Sequence, residues 1–171
     1  MRELLKIGER ARKASLIKIQ KNQKNSVLKD YCLQIKKNKN LIIQENHKDL
    51  NQALKKGLKD NLVNRLTLNE KKIEEIIISI KKIIKLNDPT NTVLEKWKRP
   101  NGLNISKISI PIGVIGVIYE SRPNVTSDVA CLCFKSGNPV ILKGGSEAFN
   151  SNKILSNLFR RSLKKNKIDE N

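Results

Sequence analysis

Apolar side chains recur along this chain with two different periods, and the change of period divides it. In the first half they return every three or four positions. Leu28, Tyr31, Cys32 and Ile35 fall at i, i+3, i+4 and i+7, a spacing that gathers them on one face of a helix, with Ser26 as its predicted cap. Leu50, Ala53 and Leu54 continue another helix, which Gly57 closes from the C′ position. Thr67-Leu68-Asn69-Glu70 reads as a capping box opening a third, and Ile73, Ile76, Ile77, Ile80 and Ile84 form its apolar stripe. Asp88-Pro89 stops that helix, because the residue before a proline is driven out of the helical region. Residues 1–88 are therefore predicted to be helical, with His47 on a solvated face.

Beyond residue 92 the pattern shortens. Two extended arms, Val93 to Lys98 and Asn104 to Ile110, flank Arg99-Pro100-Asn101-Gly102, a turn signal that predicts a hairpin. Ile105, Lys107 and Ser109 point one way and Ser106, Ile108 and Ile110 the other, so the hairpin is expected to be apolar on one side and to need a partner surface, either an oligomer or its own core. Gly113 to Tyr119 is then a continuous Val- and Ile-rich run, as expected of a strand buried on both faces of a parallel sheet, and Pro139 to Leu142 repeats it in short form. Val125 to Ser136 has room for a crossover helix, and a second helix is expected from Glu147 to about Leu163. The fold class is therefore α/β: a helical N-terminal segment followed by the first part of a Rossmann-like parallel sheet.

Composition adds little to this picture. The formal charge is +19 over 171 residues, and fields of that size attract polyanions. However, the chain holds 27 Lys, 20 Asn and 22 Ile against 5 Ala, a bias that A+T-rich codons would produce on their own. The basic residues are also spread over both halves, and Trp97 and Tyr31 lie far apart without the interleaved aromatics that base stacking uses. No nucleic-acid partner is expected. No apolar run reaches the ~20 residues of a membrane span, and the opening MRELLKIGER lacks a signal core. No membrane partner and a cytoplasmic location are expected. Cys32, Cys131 and Cys133 make neither a disulfide framework nor, with the distant His47, a zinc site; all three read as core thiols.

The candidate chemistry lies where the two strands end, which is where open α/β sheets bind ligands. At Lys143-Gly144-Gly145-Ser146-Glu147, two glycines allow close backbone approach, Ser146 can cap a helix, and the helix N-terminus with Lys143 suits a phosphate. The same residues also make an ordinary strand-to-helix turn. At Ser121-Arg122-Pro123-Asn124, the Asn124 carboxamide can donate to a developing oxyanion and Arg122 suits a carboxylate or phosphate. The alternative there is a turn in which Asn124 caps the next helix.

Taken together, PIGVIGVIYESRPNVTSDVA, CFKSGNPVILKGGSEA, GLKDNLVNRLTLNEKKI and LNDPTNTV resemble the γ-glutamyl phosphate reductases, also called glutamate-5-semialdehyde dehydrogenases, of the aldehyde dehydrogenase superfamily. The resemblance covers nearly the whole chain. It implies an incomplete sheet of the aldehyde dehydrogenase type and an NADPH-dependent reduction of γ-glutamyl phosphate to glutamate 5-semialdehyde and phosphate, a step of proline biosynthesis. It also implies a thioacyl intermediate on a cysteine, and a homo-oligomer when full length. By the same resemblance Asn124 helps form the oxyanion hole, Arg122 binds substrate, and Lys143, Gly144, Gly145 and Ser146 meet NADP. NAD-preferring relatives often carry a glutamate three residues after the lysine, where this chain has Ser146.

Family members are more than twice this length, and none of the three cysteines stands at the nucleophile's place. The resemblance thus implies an N-terminal piece, inactive alone and lacking the catalytic domain. Its parts are a helical portion of the cofactor-binding domain at 1–88, a hairpin at 89–110 that could be an oligomerisation arm, and a partial NADP-binding unit at 111–171. Another aldehyde dehydrogenase branch, or a non-catalytic basic binding fragment, are the competing readings.

Overall fold

Five helices come first: α1 (Arg2–Ser15), α2 (Lys21–Lys37), α3 (Lys39–Lys55), α4 (Asp60–Leu66) and α5 (Glu70–Lys85). They are seen in a computed structural model that describes residues 2–170; Met1, in the predicted helical portion, and Asn171, at the end of the 111–171 unit, lie outside the described residues. The predicted apolar faces are the faces that pack. Leu28, Tyr31, Cys32 and Ile35 of α2 and Ile73, Ile76, Ile77 and Ile80 of α5 are buried in one cluster with Ile42, Cys131, Leu155 and Leu158. Each such side chain, fully buried, contributes about 1.5–3 kcal/mol. In α5 the last fully buried position is Ile83, with Ile84 half-buried beside it.

Tyr31 joins the helical part to the rest. Its ring meets Phe159 edge-on at 5.0 Å between centroids, and its hydroxyl lies 2.7 Å from Ser127 Oγ and 3.2 Å from the Leu155 carbonyl. A buried tyrosine thereby satisfies its polar end.

The caps differ from expectation at three places. Ser26 lies inside α2 and bonds back to the Asn22 carbonyl; the capping box is built by Gln20 and Gln23. At α5 the cap is Asn69, whose Oδ1 accepts the Lys72 N–H at 2.9 Å, so Thr67 is not the capping residue and instead returns its hydroxyl to Val63. The third, Ser146, is treated with the site below.

The hairpin forms as predicted. β1 (Val93–Lys98) pairs antiparallel with β2 (Asn104–Ile108), with Gly102 at φ +86 in the turn. It is not apolar on one side only: Trp97 faces the same way as its partner Ile105, and Ile108 lies on the other face, so hydrophobic groups project from both. All of β1 is exposed. Its base is tied to α2, where the buried Lys24 ammonium meets Asp88 at 3.0 Å and Thr90 Oγ1 at 3.1 Å.

β3 (Ile115–Tyr119), α6 (Pro123–Lys135) and β4 (Val140–Gly144) form the expected parallel crossover unit, followed by α7 (Phe149–Lys165). The expectation that this strand is buried on both faces is not met. Ile115, Val117 and Tyr119 are half-buried while Gly116 and Ile118 are exposed, Ile118 to 85%. The sheet that holds it has two strands, β3 and β4, and alternate side chains of β3 stay in solvent.

Candidate active-site half

The turn after β3 is held in a conformation that its residues would not choose. Ser121 sits at φ +36, a left-handed region costly for a residue with a Cβ. What keeps it there is Glu147, whose Oε1 accepts both the Ser121 N–H at 2.7 Å and its hydroxyl at 2.9 Å. Burial works to raise the Glu147 carboxyl, but its own backbone N–H, the two Ser121 donors and Lys143 outweigh this and hold it below the usual value. The next residue, Arg122, is the N-cap of α6, and Pro123 takes the first helical position, where its fixed φ suits the helix and no N–H is needed.

That geometry places Asn124 in the first turn of α6, not at its cap. Asn124 Nδ2 donates to Asp128 Oδ2 at 3.3 Å, one turn along, and Asp128 Oδ1 accepts the Ser79 hydroxyl of α5 at 2.8 Å. A carboxylate only accepts, so this contact orients the amide with its NH₂ toward Asp128 and leaves a second N–H to donate. Arg122, Asn124 and Asp128 line a cavity of about 470 Å³ opposite the α4–α5 turn. From that side come Asn64 and Arg65 of α4, Leu68, and Lys72, Glu75, Ile76 and Ser79 of α5.

The turn after β4 is built differently from the expectation. Ser146 is not a helix cap: it starts a 3-10 turn, Ser146–Ala148, and α7 begins at Phe149, two residues later than predicted. The α7 N-terminus is already filled by an anion of the chain itself. Asp49 of α3 accepts the N–H groups of Asn150 at 3.0 Å and Ser151 at 2.8 Å, together with both of their side chains, so a phosphate cannot occupy that end.

Gly144 and Gly145 also face the protein. A Cβ on Gly144 would collide with Asn152 Nδ2, and one on Gly145 with the Glu147 carboxylate. Lys143 is exposed, and its ammonium makes one long contact, 3.5 Å, to the Gly144 carbonyl. Below the turn, the Thr126 hydroxyl donates to Asn152 Oδ1 at 2.8 Å, so the Tyr119 hydroxyl, 2.6 Å from Thr126, must be the donor to it.

Arg122 and Asn124 thus share one cavity. Lys143, Gly144, Gly145 and Ser146 are outside it and are joined to it through the Glu147–Ser121 contact. The three thiols are elsewhere: Cys32, Cys131 and Cys133 are buried, and burial pushes each above the usual thiol range. Sequence reasoning missed Arg65, Lys72, Glu75, Ser79 and Asp128. The i, i+4 spacing of Asn124 and Asp128 was a signal for one of them; the charged residues of α4 and α5 look like any solvated helix face. Among the described residues there is no cluster of three or more His, Cys, Asp or Glu placed to hold a metal, and no helix is long and apolar enough to cross a membrane.

No family model matches the chain. It is 46% identical over 172 aligned positions to the γ-glutamyl phosphate reductase of Clostridium botulinum strain Alaska E43, covering 99% of this chain and 42% of that protein. To the enzyme of the same name from Aliarcobacter butzleri it is 50% identical over 148 residues, 86% of this chain and 36% of that one. The crystal structure of γ-glutamyl phosphate reductase from Thermotoga maritima superposes with a TM-score of 0.94 at 40% identity, over 98% of this chain and 41% of that one. A putative aldehyde dehydrogenase from Bacillus subtilis, at 17% identity, TM-score 0.69, and 94% and 33% coverage, shares the fold. In sequence along its length and in fold, the chain is similar to the γ-glutamyl phosphate reductases, spans about two-fifths of their length, and shares the fold of the aldehyde dehydrogenases.

Proposed function

We propose that the full-length protein is a cytoplasmic enzyme of proline biosynthesis that reduces γ-glutamyl phosphate to glutamate 5-semialdehyde, releasing phosphate, with NADPH as the reductant. The observation that carries this reading, beside the whole-length likeness, is that Asn124 and Arg122 line one cavity at the C-terminal end of β3, with the Asn124 amide oriented by Asp128. The free Asn124 N–H is suited to the oxygen of a reacting acyl group, where charge develops. Arg122 beside it is suited to the departing phosphate, which a guanidinium can bind through two parallel hydrogen bonds.

NADPH, when bound, supplies the hydride. The residues present fit it. The Lys143 ammonium is free to meet the adenosine ribose or its 2′-phosphate. Ser146 adds no charge there, and the Glu147 carboxylate accepts the Ser121 N–H and hydroxyl. The nucleophilic thiol is assigned to the part of the protein beyond this chain, because the three thiols here are buried and held protonated. We further assign residues 1–88 and 111–171 to the cofactor-binding domain. The hairpin at 89–110, which exposes Leu94, Trp97, Leu103, Ile108 and Ile110, is assigned to contact a second copy. Removing residues 93–108 from the full-length protein is expected to yield monomers in sedimentation.

Run in reverse, the full-length enzyme is expected to reduce NADP with glutamate semialdehyde only when phosphate is present. A rate independent of phosphate would favour an aldehyde dehydrogenase acting on a free aldehyde and overturn the assignment.

A further inference from the structure

Five charged residues line the cavity, and two of them have partners within the protein. Of its two carboxylates, Asp128 is committed to Ser79 and Asn124. Of its three cations, Lys72 is tied to the Asn64 carbonyl. Among the described residues, no side-chain hydrogen bond or ion pair engages Arg65, Arg122 or Glu75, so two guanidinium groups and one carboxylate remain, all lining the same space. A ligand that matches them has two separated anionic groups and one cation.

The backbone around Arg65 is fixed. Buried Asn46 accepts the Leu68 N–H at 2.8 Å and donates to the Leu66 carbonyl at 2.9 Å, clamping the chain that follows Arg65 at the end of α4. Arg65 is exposed, and its guanidinium reaches the cavity from a fixed backbone, as suits a carboxylate. Glu75 follows in the first half of α5.

We infer that Arg65 and Glu75 form the subsite for an α-amino acid head group, with Arg65 taking the α-carboxylate and Glu75 the α-ammonium, while Arg122 beside Asn124 takes the phosphate at the other end of the substrate. The inference rests on the reductase reading and deepens it, because γ-glutamyl phosphate carries two anionic groups and one cation. It makes α4 and α5 the elements that select substrate, and it separates selection from the chemistry at Asn124.

The test compares aldehydes in phosphate-dependent NADP reduction by the full-length enzyme. Arg65→Gln is expected to lower kcat/KM for glutamate semialdehyde roughly 10- to 100-fold, the value of a lost charge-assisted hydrogen bond, and to leave 4-aminobutanal, which lacks the α-carboxylate, unchanged. Glu75→Gln is expected to do the same for glutamate semialdehyde and to spare glutarate semialdehyde, which lacks the amino group. Arg65→Lys should restore part of the loss. An equal loss on the complete and the truncated aldehyde overturns the subsite and shows a general defect. If the unmodified enzyme shows no phosphate-dependent turnover, the reductase reading fails, and calorimetric titration with L-glutamate still decides this one: tighter binding by the unmodified protein than by Arg65→Gln supports the subsite, and equal affinity overturns it.

Discussion

The Asn124 carboxamide and the Asp128 carboxylate meet at 3.3 Å on successive turns of α6, and Ser79 of α5 holds the other oxygen of Asp128 at 2.8 Å. The amide is thereby oriented by a group that has no proton to offer. Replacing Asn124 by alanine in the full-length enzyme is expected to lower kcat about 10²–10³-fold, the usual value of an oxyanion donor. Asp128→Asn removes the constraint on which way the amide points and is expected to cost kcat about tenfold with KM nearly unchanged. A normal kcat for Asn124→Ala defeats the oxyanion role.

Cofactor choice rests on what stands beside Lys143. Glu147 is turned onto Ser121, and Ser146 is uncharged. Ser146→Glu is expected to weaken NADPH relative to NADH by about tenfold or more, since a carboxylate near a 2′-phosphate repels it. An unaltered ratio of the two kcat/KM values ends this argument.

The three cysteines are expected to be spectators. With burial raising each thiol, the native protein should react slowly with iodoacetamide at neutral pH and rapidly once urea exposes the thiols. Cys131→Ala in the full-length enzyme is expected to cost about 1–2 kcal/mol of stability through the cavity it leaves, with kcat retained. Loss of turnover without loss of stability would reassign that thiol to the reaction.

The helices could be read in the sequence because burial in them follows a short local period: each of Leu28, Tyr31, Cys32 and Ile35 is buried. The crossover unit and the hairpin were legible for the same reason, from strand-like runs and a Pro-Asn-Gly turn. Caps were not, because polar residues stood at neighbouring positions and the choice of Asn69 over Thr67, or Gln20 over Ser26, depends on where the backbone leaves the helix. Burial on both faces of β3 was over-read, since it depends on how many layers the sheet acquires. The α7 cap lies out of local reach altogether: it comes from Asp49, about a hundred residues upstream. The cavity charges were hidden in the same way, because Arg65 and Glu75 show no sequence mark that separates them from surface residues.

Two carboxylates should make the protein sensitive to acid. For Asp88, burial raises the carboxyl, but the Thr90 N–H and hydroxyl and Lys24 together hold it below its ordinary 3.8, and Glu147 is held below its ordinary 4.5. A group with a depressed folded pKa adds stability above its unfolded value and loses it as pH falls through the folded one. The urea midpoint is therefore expected to fall as pH drops below about 4.5. Asp88→Asn should flatten part of that fall. At neutral pH it should cost about 3 kcal/mol, because Lys24, with its side chain 2% exposed, is left as an unpaired buried charge. A pH-independent midpoint would show that neither carboxylate is coupled to folding.

Asp49 reaches across from α3 and closes the start of α7, so its loss should be felt well beyond its own helix. Its two oxygens satisfy the Asn150 and Ser151 N–H groups, and Ser151 is fully buried. Water therefore cannot replace the carboxylate without opening the site, and Asp49→Ala is expected to cost about 2–3 kcal/mol, more than an exposed cap. Asp49→Asn keeps one acceptor and should cost about half as much. Because α7 carries Leu155, Leu158 and Phe159 into the cluster around Tyr31, the alanine variant should also lose part of its near-ultraviolet tyrosine signal at urea concentrations where far-ultraviolet helicity persists. If both signals disappear together at an unshifted midpoint, α7 is held by its apolar face alone and the cap contributes nothing.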